Sequence, residues 1–155
     1  MAEKLYYDGK EIGKDAIVSF LGTNLYLSNF SEYPVSYENI TYKSSEAAFQ
    51  AQKTLDNNER KKFSDLDPSK AKSLGRRIKL REDWEEVKDN IMYEIVKSKF
   101  DQNPDIKEKL INTGDKELYE GNTWNDKYWG VVKEGNNLIG KNTLGKILMK
   151  IRERV

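Results

Sequence analysis

Histidine and cysteine are both missing from this chain of 155 residues. The two absences exclude a disulfide frame, a thiolate nucleophile, a zinc site of the usual nitrogen and sulfur kind, and Ser-His-Asp or Cys-His catalysis. Proline occurs three times, and no Pro/Gly/Ser linker, low-complexity tract or internal repeat divides the sequence. A single domain over 1–155 is therefore expected, within the ~100–200 residues usual for one domain. No apolar run approaches the ~18 residues of a membrane span, and no signal peptide is visible, so a soluble, cytoplasmic protein with no membrane partner is expected. The net charge of +1 gives no support to binding of a polyanion by the molecule as a whole. What remains for chemistry is carboxylates, lysines, arginines, hydroxyls and aromatic faces.

Those groups are unevenly placed. Residues 1–52 carry a net −3, 53–81 a net +6, 82–126 a net −7 and 127–155 a net +5. Two basic blocks of this kind are either solvated helix faces or parts of one phosphate site. Charged residues make up 34% of the chain against a usual ~25%. Nine tyrosines help to supply a modest core.

The first third reads as strands and turns. Ile17-Val18-Ser19-Phe20-Leu21 and Tyr26-Leu27-Ser28-Asn29-Phe30 are short apolar segments, and Val35-Ser36-Tyr37 and Ile40-Thr41-Tyr42 flank a two-residue turn, Glu38-Asn39. Helices follow. Ser44 or Ser45 caps one running through about Leu55. Asp67-Pro68 opens another, with Gly75 after its end. Asp83 and Glu86 form a capping box ahead of a stripe of Trp84, Val87, Ile91, Met92 and Ile95 that reaches Phe100. Asn103-Pro104 starts a helix stopped by Gly114. Residues 115–141 read as loop, and Asn142 caps a last helix bearing Leu144, Ile147, Leu148 and Ile151. The pattern predicts an α+β fold, mostly helical, around a small N-terminal sheet.

Three constellations carry candidate chemistry. On the helix at 45–55, Ala47, Ala48, Ala51 and Leu55 share the core side, while Glu46, Phe49, Gln50 and Lys53 fall together on the other. That second face is either a site wall or a solvated surface. The segment from Asn122 to Gly130 packs Trp124, Asp126, Tyr128 and Trp129 onto a loop, where aromatics either stack a flat base or staple the loop to the core. Gly75-Arg76-Arg77 and Ile139-Gly140-Lys141-Asn142-Thr143-Leu144-Gly145 adjoin helix ends, where backbone N–H groups, glycines and cations can receive an anion. Neither a Walker A pattern nor a GxGxxG run is present.

Taken in order, these segments resemble the NADAR family. The resemblance is carried by Leu27-Ser28-Asn29-Phe30, by Tyr42-Lys43-Ser44-Ser45-Glu46-Ala47-Ala48-Phe49-Gln50-Ala51-Gln52-Lys53, by Gly75-Arg76, by Asp83-Trp84-Glu85, and by Met92 and Lys99-Phe100. It continues through Leu110, Thr113-Gly114 and Leu118-Tyr119-Glu120, then Asp126, Trp129-Gly130, Gly140-Lys141-Asn142 and Leu144-Gly145, and covers about 17–154. Members commonly carry histidine directly after the glutamate, where this chain has Ala47.

The resemblance implies hydrolysis of an N-glycosidic bond on a ribose-phosphate ligand, without metal or cofactor. The substrate is either ADP-ribosylated guanine in nucleic acid or a small nucleotide of the ribosylaminopyrimidine phosphate kind from riboflavin synthesis. It assigns catalysis to Glu46, acting on the ribose, to Lys53, a candidate for a Schiff base with the opened sugar, and to Asp126. Trp84 and Trp129 would orient ribose or stack the base, and Arg76, Lys141 and Asn142 would hold phosphate. Ser28, Asn29, Phe30, Phe49, Gln50 and Gly130 complete the ligand-binding set. A nucleophilic Lys53 needs a pKa below the free value of ~10.4. The two basic blocks are expected to converge on one pocket. The alternative reading is a module that binds ADP-ribose or a nucleotide without cleaving it. The sequence leaves the oligomeric state open.

Overall fold

A computed structural model describes residues 3–155. The chain forms two compact units, one made of Asn29–Glu108 and the other of the chain up to Ser28 together with Lys109–Val155. The α+β class expected from the sequence is present, with helices accompanied by two small sheets.

In the chain up to Ser28, β1 (Tyr6–Tyr7) and β2 (Lys10–Glu11) form an antiparallel pair. Asn29–Glu108 opens with the hairpin β3 (Val35–Tyr37) and β4 (Ile40–Tyr42), paired Val35 to Tyr42. Its turn is the expected one: Glu38 and Asn39 both have positive φ, 50° and 68°, as a tight two-residue connection between twisted strands requires. Four helices follow: α1 (Ser45–Ala51), α2 (Asn57–Lys61), α3 (Pro68–Gly75) and α4 (Trp84–Gln102). Ser44 caps α1 by accepting the Ala47 N–H at 3.1 Å, and Asp67 caps α3 by accepting that of Lys70 at 2.8 Å. Helix α1 packs on α3, α4 and both hairpin strands.

Several expectations are corrected in this unit. Helix α1 ends at Ala51, so Leu55 falls outside it and is 67% exposed instead of joining the core. The short α2, capped by Asp56, has no apolar period to announce it. Asp83 makes no capping bond; its carboxylate grips the Arg81 guanidinium at 2.6 and 2.9 Å, a charge-assisted pair that outcompetes a neutral N–H. Gly75 is the last residue of α3 and not a residue beyond its end.

The other unit holds the four-stranded sheet, in order β2, β1, β6 (Asn137–Ile139), β5 (Val132–Glu134), with β1 and β6 parallel. Strands β5 and β6 lie in the stretch read from sequence as loop. They were concealed because three-residue strands carry too few alternations to show a period of two. The sheet is thus shared by early and late parts of the chain, not confined to the N-terminus. Residues 17–21 are no strand: Ile17 makes only an isolated bridge to Leu118, and Gly22–Leu27 is a 3₁₀ helix. Ile12, Tyr119, Val131 and Leu138 form a buried cluster here. Helix α6 (Thr143–Glu153) buries Leu144, Ile147, Leu148 and Ile151 as expected. The boundary between the units falls inside α5 (Pro104–Asn112). Among the described residues no helix is long and apolar enough to cross a membrane.

Lys99 lies in the apolar stripe of α4, 1% exposed, with its ammonium 3.1 Å from the Ser31 hydroxyl and 5.2 Å from the Phe100 ring centre. Burial pushes its pKa down to about 7, against ~10.4 for a free lysine. Between those values the unfolded chain binds a proton that the folded chain does not, so stability rises with pH across the window. Compared with Lys99→Met, the wild-type chain is expected to gain at most ~1.4 kcal/mol of stability per pH unit from about 7 to about 10. Urea midpoints measured from about pH 6 to 10 read this directly; a difference independent of pH would put the amine in its ordinary range.

Candidate active site

Helix α1 has no solvent face: all seven of its residues are buried. The face that the sequence left open between site wall and surface is therefore interior. Glu46 is 8% exposed, Phe49 5% and Gln50 6%. Gln50 donates through Nε2 to Oε2 of Glu46 at 2.6 Å, one helical turn apart. Asn29 holds the start of the helix, its carbonyl accepting the Glu46 N–H at 3.1 Å and its Oδ1 the Ser45 hydroxyl at 2.9 Å. The Phe49 ring lies 5.0 Å from that of Trp84, tilted by 50°, so these two aromatics partner each other below the surface.

Lys53 follows the helix and is half-buried. Desolvation holds its pKa below the ordinary lysine range; the Glu46 carboxylate opposes the shift, and the charges of Arg76 and Lys72 add to it. Glu46, Lys53 and Arg76, picked out in sequence, are thus within electrostatic reach of one another. Lys72 was missed. It precedes Arg76 by four residues in the net +6 block, so helix spacing was the available signal. Its ammonium sits 5.7 Å from the ring centre of Phe30, which is 38% exposed. Among the described residues no three acidic groups gather as a metal site requires.

The remaining candidates belong to the other unit. Ser28 ends the 3₁₀ helix, its N–H donating to Leu25. Asp126 organises its loop: Oδ1 accepts the N–H groups of Tyr128 and Trp129 at 3.1 and 3.0 Å, and Asn122 pins the Asp126 backbone from both sides at 2.9 Å. The Trp129 ring meets Tyr128 edge to face at 4.9 Å, while Trp124 is 61% exposed. Lys141 is exposed, its ammonium 4.8 Å from the Tyr128 ring centre.

The start of α6 is not the open anion site expected. The N–H groups of Lys141, Asn142, Thr143 and Leu144 all donate to carbonyls of the 127–130 loop, at 2.7 to 3.2 Å. The glycines are filled by protein as well. A Cβ on Gly140 would strike the Gly130 carbonyl, one on Gly145 the Leu118 carbonyl, and one on Gly75 the Gln50 amide. They admit neighbouring chain, and no room for a phosphate is left at those positions. Asn142, with φ 54°, makes no side-chain cap; its amide accepts from the Glu120 N–H at 3.0 Å and donates to the Leu118 carbonyl at 2.9 Å. The family resemblance implied a phosphate contact for it, but the side chain is committed to joining two backbone segments.

A NADAR domain matches residues 18–155, and the chain belongs to that family. It is 36% identical to N-glycosidase YbiA of Escherichia coli (strain K12) over 152 residues, which cover 94% of this chain and 92% of that protein. It is 37% identical to N-glycosidase Npun_R5314 of Nostoc punctiforme, over 83% of each chain. The Vibrio vulnificus riboflavin biosynthesis protein VVA0006 is 35% identical across 84% of this chain, which spans 35% of that longer protein. The NMR structure of E. coli YbiA superposes with a TM-score of 0.77, covering 92% of this chain and 86% of that one.

Asn142→Gly keeps the left-handed backbone and removes both side-chain bonds, leaving two backbone groups unpaired. It is expected to cost about 1–3 kcal/mol in urea unfolding. Lys141→Ala is expected to cost no more than about 0.5–1 kcal/mol, the scale of an exposed cation–ring contact.

Proposed function

We propose that this NADAR protein is an N-glycosidase that cleaves the C–N bond between ribose and a base on a phosphorylated ligand, with Glu46 and Lys53 as its catalytic pair. The observation that carries the reading is the grouping of Glu46, Lys53, Lys72 and Arg76, with the Lys53 ammonium weakened by burial and by two neighbouring cations. An amine made easier to deprotonate, beside a carboxylate that can carry its protons, suits attack on a sugar carbon.

In this proposal neutral Lys53 Nζ forms a bond to C1′ as the base departs with the glycosidic electron pair. Of the two protons on the attacking nitrogen, one goes to the base. Glu46 carries the other to the ring oxygen as the C1′–O4′ bond opens, leaving an imine. Water then adds to C1′, the carbon–nitrogen bond to Lys53 breaks, and the sugar is released with the amine restored. Lys72 and Arg76 supply the charge that the ligand's phosphate would meet. Asn29, Phe30, Phe49 and Trp84, in the same unit, keep the ligand-binding roles the resemblance implies, as part of the same proposal. The names of the relatives support the bond class. The substrate, ADP-ribosylated guanine in nucleic acid or a ribosylaminopyrimidine phosphate, is distinguished by following base release from each in parallel. Release from neither, with binding of ADP-ribose retained, would make the protein a binding module.

Glu46→Gln is expected to lower base release by about 100-fold or more. Borohydride added during turnover should trap a covalent adduct on Lys53, and no adduct should form in Lys53→Arg. Because Lys72 and Arg76 depress the Lys53 pKa, Lys72→Ala and Arg76→Ala should each move the rising limb of the pH profile to higher pH; movement to lower pH would remove Lys53 as the group that titrates.

A further inference from the structure

Gln50 stands on the face of α1 that the sequence assigned to ligand binding, and its surroundings fit another role. The residue is 6% exposed. Nε2 donates to Oε2 of Glu46 at 2.6 Å, and Oε1 is enclosed, with no hydrogen-bond partner. Gly75, the last residue of α3, closes the far side: a Cβ there would collide with Oε1 and lie 2.9 Å from Cδ of Gln50. The amide is therefore walled in by α3 on one side and by the Glu46 carboxylate on the other.

The orientation of this amide depends on the charge of Glu46. With Glu46 ionised, Nε2 makes a charge-assisted bond, and the cost falls on Oε1 alone. Turned over, Oε1 would face Oε2, two acceptors that only a proton on Glu46 could reconcile, and the amide's donors would face Gly75. A buried acceptor left unpaired is tolerated where the other end of the same group secures something worth more. Here that is a hydrogen bond to one defined oxygen of the Glu46 carboxyl group. The side chain is 6% exposed, and Oε1, the atom a ligand would have to reach, is sealed against Gly75.

We propose that Gln50 is a positioning residue for Glu46 and not a ligand contact: its amide fixes Oε2 of the carboxylate, and Gly75 supplies the space in which that amide fits. The inference rests on the reading of Glu46 as catalytic only for its kinetic consequence; the electrostatic consequence belongs to the free protein and is tested apart from turnover.

The experiment follows the Glu46 side-chain carboxyl ¹³C resonance against pH in the wild-type chain, Gln50→Met, Gln50→Glu and Gly75→Ala. Removing the donor should raise the Glu46 midpoint by about one pH unit in Gln50→Met. Gln50→Glu should raise it further, since two carboxylates in contact titrate as a coupled pair. Gly75→Ala displaces the amide from the opposite side and should shift the midpoint in the same direction, which keeps the test available if a Gln50 variant fails to fold. An unchanged midpoint in the folded variants overturns the proposal. In base-release kinetics, Gln50→Met should lower kcat about tenfold and leave KM within about twofold; a raised KM with kcat unchanged would make Gln50 a ligand contact and also overturn it. Wild-type protein that releases no base would end the N-glycosidase reading while the ¹³C titration still decides the role of Gln50.

Discussion

Burial of α1 on every side is the constraint from which the rest of its unit follows. A helix normally turns its polar residues to water, yet Ser45, Glu46, Gln50 and Gln52 are all enclosed. Each must then find a partner in the protein, because an unpaired buried polar group is costly. Asn29 answers Ser45, Gln50 answers Glu46, and Gln52 turns back to the Ala48 carbonyl at 3.0 Å. The alanines make this possible. Ala47, Ala48 and Ala51, each 0% exposed, let α3, α4 and the hairpin come close enough to seal the helix.

Two lysines in this unit lose proton affinity by different routes. Lys99 is sealed under Ser31, Tyr33 and Phe100, and burial alone accounts for its shift. Lys53 is only half-buried, and its shift combines desolvation with the charges of Lys72 and Arg76 against that of Glu46. The difference decides what each can do. An amine at 1% exposure serves the core, whereas a half-buried one beside a carboxylate and two cations has its proton affinity set by charges that can change.

Much of this was legible in the sequence where local chemistry dictates the outcome. The Glu38-Asn39 turn, the start of α1 at Ser44 or Ser45, the opening of α3 at Asp67-Pro68 and the apolar stripes of α4 and α6 all rest on rules that operate within a few residues. The order of motifs that marks the NADAR family was legible too. What was hidden depends on partners distant in sequence. Strand β6 pairs with β1 across some 130 residues, with three residues of its own to announce it. Asn142 looked like a helix cap but ties Glu120 to Leu118. The glycines of the proposed phosphate loops looked like space for a ligand, and that space is taken by the protein's own carbonyls and by Gln50. A glycine reports close approach without reporting what approaches.

Ala47 shows what such tight sealing means for change at a single position. Its methyl group is 0% exposed on a helix enclosed by α3, α4 and the hairpin. A side chain as large as histidine is not admitted here while those neighbours keep their present side chains. A larger residue at position 47 therefore needs linked replacements around it, not one change. Position 47 and the side chains that enclose it thus form one packing set, in which a gain of volume at one member must be met by a loss at another.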